Sequence, residues 1–341
     1  MKIAVVASPV TPLRPVQLGG AQAFLCDLAV GLARRGHDVT LHCAEGSEVD
    51  GVRLAMVRAP SDAAAALVMP GGASPPPAPG VAAALAAMFR AVAAAGADAV
   101  SQHAFDAPAF ELARGMPVLH TLHLPPIVDS VVAAASRVAP SHLATVSRSC
   151  QSAWRATGVE VGDLLPNGVP DIAVSEIQDR VALVAGRISP EKGIEHAIAA
   201  ARLAGLPVRL AGAHYDPAYE VDLREVEQLG PLPRDELGRV MARAAVTICA
   251  VRWEEPFGMV AAEAQMAGCP VASYRRGALP EVVEEDVSGF LARPDDVDDL
   301  ARAIGQCLTL DRGAVRSSAR RRLGLDAAVS RYEKALGRVA R

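Results

Sequence analysis

The chain has 341 residues, comfortable for two domains, and 51% of them are hydrophobic while only 4% are aromatic. Its apolar fraction is mostly Ala, Val and Leu, which suits a helix-rich globule and excludes a disordered chain. With 34 basic and 38 acidic residues the formal net charge is −4, so there is no global basic field for nucleic acid or an anionic membrane. Six cysteines (Cys26, Cys43, Cys150, Cys249, Cys269 and Cys307) lie far apart with no CxxC pair, which gives neither a metal nor a disulfide framework. They read as free thiols of a reducing compartment, and a cytoplasmic location is expected. The start, "MKIAVVASPV", is too short in its apolar run for a signal peptide, and no stretch approaches a membrane span.

Taken in chain order, "KIAVVAS" (2–8) is a nearly continuous apolar run, as expected of a strand covered on both faces. "PVTPLRPVQLGG" (9–20) is a Pro/Gly loop, and "AQAFLCDLAVGLARRGHDVTLHCA" (21–44) reads as a helix stopped at Gly36 and then a second strand. This βαβ unit predicts a parallel sheet. Residues 59–80 predict a mobile surface loop. Segments 81–104, 116–126 and 141–150 continue the alternation of helix and strand. "GDLLPNGVPDIAVSEIQD" (162–179) breaks it, and "RVALVAGRISPEKGIEHAIAAARLAGLPVRLAGA" (180–213) restarts it. We therefore expect an N-terminal Rossmann-like domain over 1–168, a C-terminal one over 169–315, and a helical segment over 316–341 that packs back on the first. Two such halves predict a cleft for a ligand.

Four groups of residues carry chemistry. Gly19 and Gly20 precede a helix, where a backbone without side chains can come close to a ligand and free N–H groups can meet an anion. The pair is not G-x-G-x-x-G, so a dehydrogenase-type dinucleotide fold is poorly supported. In "GRISPEKG" (186–193), Arg187 and Lys192 flank a strand-to-helix loop and suit a diphosphate, the first as a fork and the second as a point charge. Solvated charges on an ordinary loop are the plainer alternative. In "EEPFGMVAAEAQMAGCPV" (254–271) a helix begins at Gly258 and can turn the N–H groups of Gly258, Met259 and Val260 to an anion. Glu255 precedes that start, and Glu263 lies among Ala and Met, where a buried acid without a partner is costly and a ligand diol is an attractive one. The plainer alternatives are an acid helped by the helix dipole for Glu255 and a solvated helix face for Glu263. His123 stands at a strand's C-terminal end, where open α/β sheets place functional groups. His120 reads as structural, and His37, His42, His103, His142, His196 and His214 as ordinary loop or surface residues. "DVD" (296–298) resembles a metal-binding pair, but helix capping explains it better, and "RSSARRR" (316–322) reads as a solvated helix face.

These segments, together with "TLH" (121–123), "LPNGVP" (165–170), "LGPLP" (229–233) and "LPEVVEEDVSGFL" (279–291), resemble in order those of the family 4 retaining glycosyltransferases. The likeness spans nearly the whole chain. Its most specific part is the Glu-x7-Glu pattern of Glu255 and Glu263. The small size and Ala/Arg-rich composition are similar to antibiotic-pathway members from actinomycetes.

The resemblance implies the GT-B fold, two Rossmann-like domains with parallel sheets facing across a cleft. It implies a UDP- or GDP-linked sugar donor bound mainly by the C-terminal domain and no metal cofactor. The acceptor would be a small molecule or oligosaccharide bound mainly by the N-terminal domain. Nucleic-acid partners are not expected, and peripheral membrane contact is not indicated. Carried over, Arg187 and Lys192 would hold the diphosphate, Glu263 the ribose, and Glu255 the donor sugar, while His123 would face the sugar near the reacting carbon. Gly19, Gly20, Gly186, Leu232, Phe257, Gly258, Met259 and Val260 would complete the nucleotide-sugar contacts. One departure is "GALPE", which has Ala278 where the family often has a second glycine. The activity implied is sugar transfer with retention at the anomeric carbon. A nucleotide-sugar 2-epimerase of the same fold, or a silent nucleotide-sugar binder, is the alternative.

Overall fold

The computed structural model describes residues 1–16, 19–66, 78–215 and 218–340, with Ala65 as backbone only. Contacts divide the chain into two units. One comprises Met1–Pro15, Ala21–Asn167 and Leu325–Arg341, the other Val16–Gly20 and Gly168–Gly324.

Among the described residues the first unit has seven strands: β1 (Lys2–Val6), β2 (Asp38–Ala44), β3 (Arg53–Val57), β4 (Ala99–Gln102), β5 (Val118–Leu122), β6 (Leu143–Thr145) and β7 (Asp163–Leu164). All pair in parallel in the order β3-β2-β1-β4-β5-β6-β7. Central β1 has Ile3 in register with both Val39 and Ala99. Both its faces are covered, which is why "KIAVV" shows no polar alternation. The helices are α1 (Gly20–Arg34), α2 (Pro79–Ala95), α3 (Ala107–Leu112), α4 (Asp129–Ala135) and α5 (Arg148–Ala156). Leu85, Phe89 and Val92 of α2 pack on Val6 and Val100, and Val131 of α4 with Trp154 of α5 packs on Leu122 and Leu143.

The second unit has β8 (Asp179–Ala185), β9 (Val208–Ala211), β10 (Val226–Gly230), β11 (Ala244–Cys249), β12 (Val271–Tyr274) and β13 (Gly289–Ala292), again all parallel. Their order is β10-β9-β8-β11-β12-β13. Helices α6 (Ile194–Leu203), α7 (Arg234–Arg243), α8 (Met259–Met266), α9 (Leu279–Val282), α10 (Val297–Cys307) and α11 (Arg312–Leu323) surround the sheet. Ile194, Ile198, Leu300 and Ile304 form the core with Val184 and Ile248.

Both sheets therefore follow one plan: three strands are added in one direction, then the chain returns to the first strand and adds three or four in the other. Where the direction reverses, between β1 and β4 and between β8 and β11, successive loops leave in opposite senses. They open a crevice outside the carboxyl ends of the strands.

Several details differ from the sequence reading. The edge strands β3 and β7 were not anticipated; "RLAMV" is half exposed and "DL" only two residues long. Of 59–80, a 3-10 turn forms over Ala63–Ala66 and α2 begins at Pro79, while 67–77 lie outside the described residues. The segment 316–341 divides at Gly324: α11 counts with the second unit, and α12 (Leu325–Val339) packs on β4 and β5 of the first. The arginine cluster is solvated only in part: Arg320 and Arg321 are exposed, as expected, but three of its four arginines also have partners. Arg316 and Arg320 bind Asp171, and Arg322 donates to the carbonyls of Glu281 and Val282. Asp296 caps α10 by accepting from the Asp299 N–H at 2.8 Å.

Candidate donor site

The two loops at the reversal of the second sheet are fastened to each other. Gly193 ends the turn after β8 with φ 60°, and a β-carbon there would stand 2.1 Å from the carbonyl oxygen of Ala250, the first residue after β11. No side chain can occupy that space. The Arg252 N–H donates to the carbonyl of Glu191 at 2.8 Å, which locks the same two loops a few residues further on. A third loop clamps the second. Gly277 donates its N–H to Glu254 at 2.9 Å, Ala278 donates to the carbonyl of Glu255 at 2.8 Å, and a β-carbon on Gly277 would lie 2.3 Å from the Glu255 backbone.

This scaffold brings Lys192 and Glu255 together. Lys192 Nζ lies 2.8 Å from Glu255 Oε2, with side-chain exposures of 20% and 13%. The indole N–H of Trp253 donates to the same oxygen at 2.8 Å, and Lys192 also stands 5.6 Å from the Trp253 ring centre. Both bonds end on Oε2. Burial alone would push the Glu255 carboxyl up, but Lys192, the Trp253 hydrogen bond and the nearby charge of Arg187 outweigh it and hold the group below its ordinary value. Glu255 is thus a carboxylate near neutral pH. Arg187 is anchored by Glu191 at 3.1 Å and lies 4.7 Å from the Tyr215 ring centre. Glu191 itself is buried.

Glu263 is buried within α8, but it is not partnerless as expected: Arg234, at the start of α7, donates to it at 2.8 Å. Half-buried Leu232 lies two residues before that arginine. Phe257, Gly258 and Met259 are buried at the start of α8, with Val260 half-buried beside them, and Gly186 follows β8 directly. Half-buried Gly19 precedes α1 and Gly20 begins it, and by contacts both count with the second unit.

His123 follows β5 in the first unit and is 6% exposed. Burial pulls its imidazole down to about 4, so it is neutral. His103, expected at a loop or surface, follows β4 and is also buried. Its Nδ1 lies 2.8 Å from His123 Nε2. His42 is likewise buried rather than superficial. His120 fits its structural reading, bonded to Gln102 at 3.1 Å and stacked on Phe110.

Sequence reasoning missed Glu191, Tyr215, Trp253, Arg234 and His103. Trp253 and Glu191 adjoin the motif residues they support. His103 ends a strand as His123 does, so one rule applied to both would have found it.

Comparison with known proteins bears on the family and the fold. Residues 18–171 match the family model "Glycosyltransferase Family 4", and residues 171–324 match "Glycosyl transferases group 1". A D-inositol 3-phosphate glycosyltransferase of Mycobacterium marinum is 35% identical over 151 residues, 40% of this chain and 32% of that protein. One of Mycobacterium tuberculosis is 30% identical over 185 residues, 47% and 38% of the two chains. The chain thus spans only about a third of the length of these relatives. In fold it is similar to AviGT4, a glycosyltransferase involved in avilamycin A biosynthesis, with TM-score 0.73 and 22% identity over 99% of this chain and 97% of the other. It is also similar to Anabaena Alr3699/HepE, solved with UDP-glucose, with TM-score 0.73 and 20% identity over 99% and 100%. Two parallel Rossmann-like units give the chain the GT-B fold. The chain belongs to the family 4 glycosyltransferases.

Proposed function

We propose that the chain transfers a sugar, with retention of anomeric configuration, from a UDP-linked donor to a hydroxyl of a small-molecule or glycan acceptor. The observation that carries this is the Lys192–Glu255 pair, with Arg187 beside it, at the strand reversal of the second unit. A departing nucleoside diphosphate gathers negative charge. Arg187, Lys192 and the N–H groups at the start of α8 are positive groups held in place before the reaction, as stabilising such charge requires. Glu191 and Glu255 hold the two cations in position, and each cation keeps further donors for phosphate oxygens. Glu255 keeps Oε1 for a donor-sugar hydroxyl. Glu263, oriented by Arg234, accepts from the ribose diol.

UDP is favoured over GDP by the Anabaena fold relative, which was solved with UDP and UDP-glucose. The cation cluster needs no metal for the leaving-group role. An antibiotic pathway and a cytoplasmic location fit the same reading, and among the described residues no helix is long and apolar enough to cross a membrane.

A thermal-shift panel of UDP, GDP, ADP and dTDP tests the donor class, since a ligand that binds the native state raises the melting temperature. We expect UDP to give the largest rise and UDP-sugar turnover to release UDP with acceptor present. A larger rise with GDP would replace the donor. No rise with any nucleotide would remove the reading, and sugar inversion at C2 without acceptor would turn it to the epimerase.

A further inference from the structure

The buried histidines of the first unit form a chain with one hydrogen too many. Ser101 Oγ lies 2.8 Å from His103 Nε2, and His103 Nδ1 lies 2.8 Å from His123 Nε2. The two imidazole rings stack at 5.1 Å, Tyr332 covers His103 at 5.9 Å, and Phe24 lies edge-on to His123 at 6.3 Å. These rings shut out water, and burial keeps both imidazoles neutral. A neutral imidazole carries one hydrogen and a hydroxyl carries one. The three groups so hold three hydrogens and make two bonds.

Only two arrangements keep both bonds. In one, Ser101 donates to His103, His103 donates from Nδ1 to His123, and the surplus hydrogen sits on His123 Nδ1. In the other every bond is reversed, His123 Nδ1 is bare, and the surplus hydrogen is on the Ser101 hydroxyl. Either leaves a buried donor unmet, which is costly. The two ends are not equivalent. Ser101 is fully enclosed inside β4. Among the described residues His123 Nδ1 is buried without a hydrogen-bond partner at the carboxyl end of β5, the end at which open α/β sheets receive ligands. An oxygen brought to Nδ1 would satisfy every group in the first arrangement and none of the surplus in the second.

We propose that Ser101 and His103 are positioning residues that set the ring tautomer of His123, so that its Nδ1–H is presented to a sugar hydroxyl oxygen. That the oxygen belongs to a nucleotide-sugar rests on the function proposed above. The hydrogen arrangement does not.

The test is NMR of the side-chain nitrogens in the full chain labelled with [15N]histidine, assigned with His103→Asn and His123→Asn. Spectra are taken free, with UDP, and with UDP-glucose. In every state both rings must carry hydrogen on the same-named nitrogen, because unlike tautomers break the bond between them; unlike tautomers in the free protein overturn the chain whatever it binds. With UDP-glucose we expect His123 to bear its hydrogen on Nδ1, and with UDP alone to match the free protein. A melting shift with UDP-glucose while His123 keeps its hydrogen on Nε2 overturns the proposal but leaves the donor reading intact. No melting shift with either nucleotide, with like tautomers in the free protein, removes the donor reading and supports the chain. In transfer assays at matched folding, His103→Leu should lose about tenfold in kcat/KM. His103→Asn, whose amide can donate in place of Nδ1–H, should stay within about threefold. Equal losses in the two variants would reduce His103 to packing.

Discussion

The two units share a strand order and differ in what they place at the carboxyl ends of their strands. The first puts neutral imidazoles there, stripped of water by Phe24 and Tyr332. The second puts opposite charges there, Arg187 with Glu191 and Lys192 with Glu255. One topology thus supplies a crevice without dictating its chemistry. Neutral donors suit hydroxyl oxygens, and fixed cations suit a diphosphate. The sharpest way to break this contrast is to remove a charge from the second unit. Lys192→Met removes the cation that our reading assigns to the leaving group and leaves the buried Glu255 carboxylate, among the described residues, with the indole N–H of Trp253 as its hydrogen-bond donor. We expect kcat to fall by about 10²–10³-fold, measured where the variant is still folded, and the melting temperature to fall as well because a buried carboxylate loses its charge partner. Steady-state transfer with saturating donor measures it, and a loss under tenfold would take Lys192 out of the mechanism.

Acid should separate the units next. His123 takes its proton only near 4 and His120 only near 3, because burial resists the charged form, whereas both take it near 6.5 when unfolded. Between about 6.5 and 4 the unfolded first unit binds more protons than the folded one. Its stability therefore falls as pH drops, by up to ~1.4 kcal/mol per pH unit for each such group. In the second unit Arg243 and Arg209 hold Asp179 down to about 2, so its contribution is present above 3.8 and is lost only as pH falls from there towards 2. Each unit has one tryptophan, Trp154 in the first and Trp253 in the second. Denaturation of Trp154→Phe and Trp253→Phe variants, followed by fluorescence at pH 7 and pH 5, reads the units separately. The Trp154 signal should shift to lower denaturant at pH 5 while the Trp253 signal holds. A shift confined to Trp253 would reverse the assignment.

A smaller effect sharpens the second unit's side of the comparison. Glu263→Gln keeps the size of the side chain but loses the charge that faces Arg234 and, on our reading, one acceptor for the ribose. UDP affinity should weaken about tenfold by calorimetry, with kcat at saturation nearly kept. An unchanged Kd would leave Glu263 as the structural partner of Arg234 alone.

How far these features were legible follows from what each depends on. The parallel sheets were, because strands such as "KIAVV" and "RVALVA" are apolar without alternation and are separated by helices. The cation loops were, because Arg187, Lys192 and Glu255 sit at strand-to-helix junctions in recognisable motifs. The partners of these residues were not. Glu191 to Arg187, Arg234 to Glu263 and His103 to His123 are side-chain pairings, and for the last two sequence order does not show which loops end side by side. The division at Gly324 was hidden for a similar reason. "RRRLGLDAA" reads as helix on both sides of a glycine, and nothing in it says that α11 is held by Asp171 while α12 packs on β4 and β5.

The smallest predicted effect concerns Ala278, where family resemblance leads one to expect glycine. The clamp on Glu255 needs a glycine only at Gly277, whose φ is 54° and whose missing β-carbon makes room for the Glu255 backbone. Ala278 has φ −82° and ψ −4°, ordinary right-handed geometry just before α9, and its methyl group is fully buried. A glycine there would relieve no strain, would lose that packing, and would loosen the unfolded chain. Ala278→Gly should therefore lower stability by about 0.5–1 kcal/mol and leave transfer within about twofold, since the Ala278 N–H that holds Glu255 is a backbone group. Gly277→Ala, by contrast, should disturb the Glu255 loop itself. If Ala278→Gly instead raised kcat several-fold, the alanine would be restraining a motion of this loop, and the clamp would have to be treated as a moving part of the second unit.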